Sequence, residues 1–223
     1  RYAIPAIACF PHLPFNWRTV TDDQRVLRKA MKSLRPGQGH WREFSRQTTR
    51  IIRDHRLRKP ADINVLSSSA ELNIAFLTRY FQPYESHFDS SYVYVGPTIE
   101  TERREEPMAI RVADDQKLIY IAVGTLYKAN IEFFQACMQA FADPAFAVIM
   151  SIGKAVDVDS LGEIPANFTA AQYVPQLQVL QAADLFVTHG GMNSINEAVT
   201  YDVPMIVVPN TIEQSINASR IEQ

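Results

Sequence analysis

The sequence predicts an α/β fold, a doubly wound parallel sheet, from three observations. From Lys117 onward short β-rich runs alternate with helical segments, the order that a parallel sheet with crossover helices requires. Within "IEFFQACMQAFA", Phe134, Cys137, Met138 and Phe141 fall at i, i+3, i+4 and i+7, the spacing of one buried helix face. Glycines and small hydroxyls gather where the predicted strands end, which is where open parallel sheets collect their ligands.

Taken in order, "KLIYIAV" (117–123) reads as a buried strand, and Asn130 caps the helix that follows. "FAVIM" (146–150) is the next strand. After a polar loop, "FTAAQYV" (168–174) reads as a strand, "QLQVLQAA" as a short helix and "DLFVT" (184–188) as a strand. "NSINEAVTY" then reads as a helix and "PMIVV" (204–208) as a strand. Phe133, Phe134 and Phe141 are expected in the core. The first hundred residues are less regular, with helices expected over 22–34 and 41–55 and strands over 63–66 and 91–95. Residues 100–116, "ETERREEPMAIRVADDQ", are charged, poorly periodic and carry one proline, so they read as a linker. The division expected is a first domain over 1–99, the linker over 100–116 and a second domain over 117–223.

At 223 residues and 47% hydrophobic content, the chain has ample material for a packed core. No stretch approaches the roughly 18 consecutive apolar residues of a membrane-spanning helix, and "RYAIPAIACF" lacks the layout of a secretion signal. A cytoplasmic protein is expected. Cys9 and Cys137 belong to no CxxC pair or metal spacing, so two buried thiols are expected, with neither disulfide nor zinc. The chain opens at Arg1 without a methionine and stops at "NASRIEQ" within a predicted helix, which suggests a fragment.

The net charge of −2 conceals an asymmetry. Residues 1–60 carry 14 Lys and Arg against 4 Asp and Glu, and residues 61–223 carry 8 against 20. The basic charges are spread over two amphipathic helices, which favours a solvated or docking face over a membrane-facing role. No basic run or nucleic-acid motif accompanies them, so no nucleic-acid partner is expected.

The chemistry concentrates in "DLFVTHGGMNSINEA" (184–198). Gly190 and Gly191 let the backbone turn tightly and approach a ligand. The helix that follows aims unpaired N–H groups, with about half a positive charge, at the same spot, which suits a phosphate. His189, Asn193 and Ser194 add donors. Glu197, at i+4 from Asn193, lies on the same helix face one turn on, where a carboxylate suits a pair of ribose hydroxyls. Tyr173 could stack on a base, with the backbone of Val174 reading the base edge. Glu213 and Gln214 offer hydrogen-bonding groups to a polyhydroxyl moiety. Together these describe a nucleotide sugar.

The stretch "YVPQLQVLQAADLFVTHGGMNSINEAVTYDVPMIVVP" (173–209), followed by "EQ" and "NA", resembles the donor-binding motif of the UDP-dependent glycosyltransferases. Among these it is most similar to the bacterial macrolide or natural-product branch. "YVYVGPTI" (92–99) and "IAVGT" (121–125) resemble landmarks of the same family. The resemblance covers about residues 91–223 well and residues 1–90 loosely. It implies a GT-B architecture, with two facing Rossmann-like domains, the sugar donor held by the second and the acceptor by the first, here incomplete. It also implies metal-independent transfer that inverts the anomeric centre, with no cofactor beyond the UDP-sugar donor and a hydrophobic small molecule as acceptor.

Carried over by position, the resemblance assigns His189, Gly191, Asn193, Ser194 and Thr125 to the diphosphate and Glu197 to the ribose. Tyr173, Val174 and Gln176 fall to the uracil side, and Glu213 and Gln214 to the transferred sugar. Tyr173 stands where plant relatives have tryptophan, and so does Met192, beside the sugar. The family's catalytic histidine and its aspartate have no counterpart in a matching context, since neither His12 in "CFPHLPFNW" nor His40 in "PGQGHW" follows the expected strand. The catalytic residues are thus unknown from sequence. Phe10, Phe15 and Trp17 are core candidates, with an acceptor pocket as the alternative.

Rival readings are a nucleotide-sugar-binding subunit without its own base, or another GT-B enzyme such as a lipid-linked glycosyltransferase or a UDP-sugar epimerase. A dehydrogenase is disfavoured because no GxGxxG follows a strand.

Overall fold

A computed structural model of the chain describes residues 6–14, 39–54, 70–100, 106–124 and 131–222. The chain divides into two compact units, Arg1–Gly96 and Pro97–Gln223. The predicted helix over 22–34, the predicted strand over 63–66, the Asn130 cap, Phe15, Trp17 and Thr125 lie outside the described residues.

In the first unit β1 (Ile7–Phe10), β2 (Leu72–Ala75) and β3 (Tyr92–Tyr94) pair in parallel in that order, and α1 spans Gly39–Asp54. Phe10 is buried beside Tyr92 and so belongs to the core. Cys9 corrects the expectation of two buried thiols. It shares the exposed face of β1 with Ile7, whereas Cys137 is buried and its thiol pKa is pushed up to about 11 by desolvation. Asn73, fully buried, pairs its side-chain amide with both backbone groups of Ala70 and with Ser91 Oγ. That satisfies a polar side chain that would otherwise be costly inside the unit.

The second unit is the predicted doubly wound sheet. Its strands are β4 (Lys117–Ala122), β5 (Phe146–Ser151), β6 (Phe168–Ala171), β7 (Leu185–Thr188) and β8 (Met205–Val207), all parallel, in the order β6-β5-β4-β7-β8. The helices are α2 (Ile131–Ala140), α3 (Gln176–Leu180), α4 (Met192–Thr200) and α5 (Ile212–Ile221). β4 is buried along five consecutive residues because both faces are covered. Ile119, Ile121, Val148 and Met150 meet Phe134, Cys137 and Met138 of α2 on one face, and Leu118, Tyr120, Ile149 and Phe186 pack with Val179, Leu180 and Ala198 on the other. Phe133 and Phe141 pack at the edge of the first cluster.

Several predicted boundaries move. β6 stops at Ala171, so Tyr173 and Val174 lie in the loop after it. Helix α4 begins at Met192, with Gly191 as its N-cap. The segment expected as a linker is fastened to the second unit. The Gln178 side-chain amide accepts from Met108 N at 2.9 Å and donates to Met108 O at 2.7 Å.

Candidate functional site

The register aligns the strand ends, with Ala122 opposite both Ser151 and Thr188, Ser151 opposite Ala171, and Thr188 opposite Val207. Strand order reverses between β4 and β7, and a crevice opens beyond the carboxyl ends at such a reversal. A cleft of about 270 Å³ lies there. β4 contributes Tyr120 and Ala122, followed by Gly124, and the end of β5 contributes Ser151 and Gly153. The loop after β6 adds Gln172, Tyr173 and Val174. Gln176 of α3 and Asn193 and Glu197 of α4 complete the lining.

Glycine is required at this edge for two separate reasons. Gly124, Gly153 and Gly190 have φ of 78°, 75° and 79°, a left-handed conformation that costs other residues roughly 1–2 kcal/mol. Gly191 has an ordinary φ of −67°, and its role is spatial. A Cβ on Gly191 would stand 2.6 Å from His189 Nε2, and one on Gly124 would stand 2.7 Å from His189 Cε1. The imidazole therefore lies against the backbone of both glycines. Asn217 of α5, fully buried, donates from Nδ2 to the Gly190 carbonyl at 2.8 Å and braces the turn from below.

Burial lowers the pKa of His189, and the Ala122 backbone opposes that shift. The ring is neutral at pH 7. A group whose pKa falls on folding contributes stability that is complete above its unfolded value of 6.5 and is lost as the pH drops through the lowered value. Thermal unfolding at pH 7.5 and 5.5 is expected to show this loss in the natural chain and a smaller one in His189→Gln.

Glu197, 5% exposed, receives a short hydrogen bond at Oε2 from Gln176 Nε2. The same nitrogen stands 3.5 Å from Ser194 Oγ. Asn193 and Glu197 line the cleft from one face of α4, as their spacing predicted. Tyr173, 63% exposed, presents its ring at the cleft.

Other predicted site residues stand differently. Met192, the first residue of α4, is 5% exposed, and like His189, Gly191 and Ser194 it is not among the residues that line this cleft. Gln214 closes a capping box with Thr211, its Oε1 accepting from Asn210 N at 2.8 Å and Thr211 N at 3.1 Å. Its amide oxygen is thus committed to the helix cap. Glu213 is half-buried in the first turn of α5. Sequence reasoning did not single out Tyr120 or Asn217. The signal for Tyr120 was a hydroxyl inside an aliphatic strand, and for Asn217 its place in the "NA" pair of the family-like stretch, which gave it no role of its own. Among the described residues no cluster of three His, Cys, Asp or Glu side chains is placed to hold a metal, and no helix is long and apolar enough to cross a membrane.

Residues 136–223 match a protein family described as erythromycin biosynthesis protein CIII-like, C-terminal domain. The NDP-glycosyltransferase YjiC of Bacillus subtilis is 45% identical over 152 residues, 68% of this chain and 38% of that protein. The oleandomycin glycosyltransferase of Streptomyces antibioticus is 26% identical over 226 residues, covering 100% of this chain and 50% of that protein. The chain thus spans half or less of these relatives' length. Among solved structures, the glycotransferase of kitacinnamycin superposes with a TM-score of 0.79 at 29% identity, over 98% of this chain and 55% of that one. CalG4, the calicheamicin glycosyltransferase, gives 0.67 at 27% identity, over 98% and 54%. The match to the family model, the sequence relatives and the shared parallel-sheet architecture agree: residues 136–223 carry the erythromycin biosynthesis protein CIII-like C-terminal domain, and the chain is homologous to macrolide and natural-product glycosyltransferases and shares the GT-B architecture of its structural neighbours.

Proposed function

We propose that the second unit is the donor-binding half of an inverting glycosyltransferase that moves a hexose from a UDP-sugar to a hydroxyl of a hydrophobic small molecule of macrolide or polyphenol type. The observation that carries this reading is the spacing along α4. Its amino end and the adjoining His189 turn favour an anion, while the Glu197 carboxylate lines the cleft one turn further along the helix. A carboxylate beside a diphosphate would repel it, whereas one a turn away meets the ribose. Tyr173 stacks on the uracil, and the sugar extends toward the start of α5.

In the reaction the bond from the anomeric carbon to the β-phosphate oxygen breaks, and a bond to the acceptor oxygen forms from the opposite side. UDP leaves with the bonding electrons, and the acceptor proton passes to a base. Partial positive charge at the α4 amino end and hydrogen bonds from the turn stabilise the departing diphosphate, a role that needs no metal or further cofactor.

Calorimetry of the chain with UDP, UDP-glucose and NADH tests the reading. UDP and UDP-glucose are expected to bind and NADH to bind far more weakly, and preference for NADH would overturn it. Tyr173→Ala should weaken UDP by about two- to tenfold, since such stacking contributes roughly 0.5–1.5 kcal/mol. Equal affinity of this variant and the natural chain for UDP would remove Tyr173 from the base.

A further inference from the structure

We infer that Tyr120 is a positioning residue for the nucleotide, acting through Gln176 on Glu197; the inference rests on the proposed ribose contact of Glu197.

Tyr120 sits mid-strand in β4 and is 1% exposed. Its ring stacks on that of Phe186, its registered neighbour on β7, at 4.8 Å and an interplanar angle of 7°. Two strands therefore fix where the phenol points. The hydroxyl reaches the cleft and donates to Gln176 Oε1 at 3.1 Å.

A glutamine amide has an accepting and a donating end of almost identical shape, so only its neighbours decide which way round it sits. The Glu197 carboxylate, which only accepts, selects the arrangement in which Nε2 faces it and Ser194, and the phenol O–H of Tyr120 then anchors the outward Oε1. Reversing the amide would set its oxygen against a carboxylate oxygen inside a half-buried cleft, where such repulsion is poorly screened. With the hydroxyl present, one carboxylate oxygen is tied down and the carboxylate plane is set before any ligand arrives. Without it, the amide keeps its sense but loses the anchor at its far end, and Glu197 is held by a side chain free to shift. The rigid sheet thus preorganises a side chain that lies one helix away.

Tyr120→Phe removes only the hydroxyl and keeps the ring stack, so folding is preserved, and thermal unfolding verifies this. The measurement is the affinity of the full chain for UDP and for 2′,3′-dideoxy-UDP. The expected result is that Tyr120→Phe weakens UDP by about two- to tenfold, in keeping with one lost hydrogen bond, and leaves dideoxy-UDP unchanged. In a Glu197→Ala background the same change should have no further effect on UDP, since its target is gone. Gln176→Met, which has neither polar end, should also narrow the preference for UDP. Equal weakening of both nucleotides by Tyr120→Phe, or an effect that persists without Glu197, would overturn the positioning role while leaving the ribose contact standing. A natural chain that binds both nucleotides alike would overturn the ribose contact and this role with it.

Discussion

Glu197→Ala is expected to weaken UDP binding by about ten- to hundredfold. Hydrogen bonds from ribose hydroxyls to an ionised carboxylate contribute roughly 1.5–3 kcal/mol, and the cleft excludes much of the competing water. Glu197 is 5% exposed, and Gln176 tethers one of its oxygens, so little ordering remains to be done on binding. The loss should be confined to ligands that carry the ribose. Inorganic pyrophosphate, which would meet only the turn and the start of α4, should bind the variant and the natural chain equally. The change also leaves the Gln176 amide without its carboxylate partner, so a modest drop in thermal stability should accompany it. Calorimetry with UDP and pyrophosphate separates the two effects, and unchanged UDP affinity would reject the ribose contact.

Gly191→Ala is expected to have a comparable effect at the other end of the nucleotide. A methyl group there would stand 2.6 Å from His189 Nε2, and φ at this residue is −67°, so the backbone tolerates alanine and the imidazole must yield. Gly124 borders the same Nε2–Cε1 edge of the ring, since a Cβ there would approach Cε1 to 2.7 Å. The ring must shift away from that edge. Loss of a hydrogen bond to a charged diphosphate, roughly 1.5–3 kcal/mol, corresponds to about ten- to hundredfold weaker UDP binding, whereas uridine should be little affected. A second readout follows from burial. Released into solvent, the ring should regain an ordinary pKa near 6.5, and NMR titration of its protons would record the rise. A variant that keeps both the lowered pKa and the UDP affinity would show that the methyl group is accommodated elsewhere.

Some of this site was legible in the sequence because periodicity encodes it. The alternation from Lys117 onward gave the five strands, and the i, i+4 spacing of Asn193 and Glu197 gave their common face. What periodicity does not encode is how a polar side chain is used once its position is known. Gln214 reads equally as a sugar contact or as the last member of a Thr-x-x-Gln box, and the cap holds its oxygen. Met192, placed beside the sugar by the resemblance, is buried at the start of α4, and burial of a single apolar residue at a helix start has no periodic signature. The resemblance places Gln176 on the uracil side, and in the structure its side chain contacts Tyr120 and Glu197, 56 and 21 residues away in sequence. Such long-range pairs have no local signature. In the first unit the described strands are only three or four residues long, too short for alternation to register strongly.

The Gln178 amide imitates a strand that is not there, since it offers Met108 an acceptor and a donor together, as a ladder partner does. Helix α3 is five residues long and carries Gln176 at its first position and Gln178 at its third. One short rigid rod therefore grips the incoming backbone with one amide and the candidate nucleotide seat with another. Two contacts, 70 and 21 residues apart in sequence, thus depend on one five-residue helix.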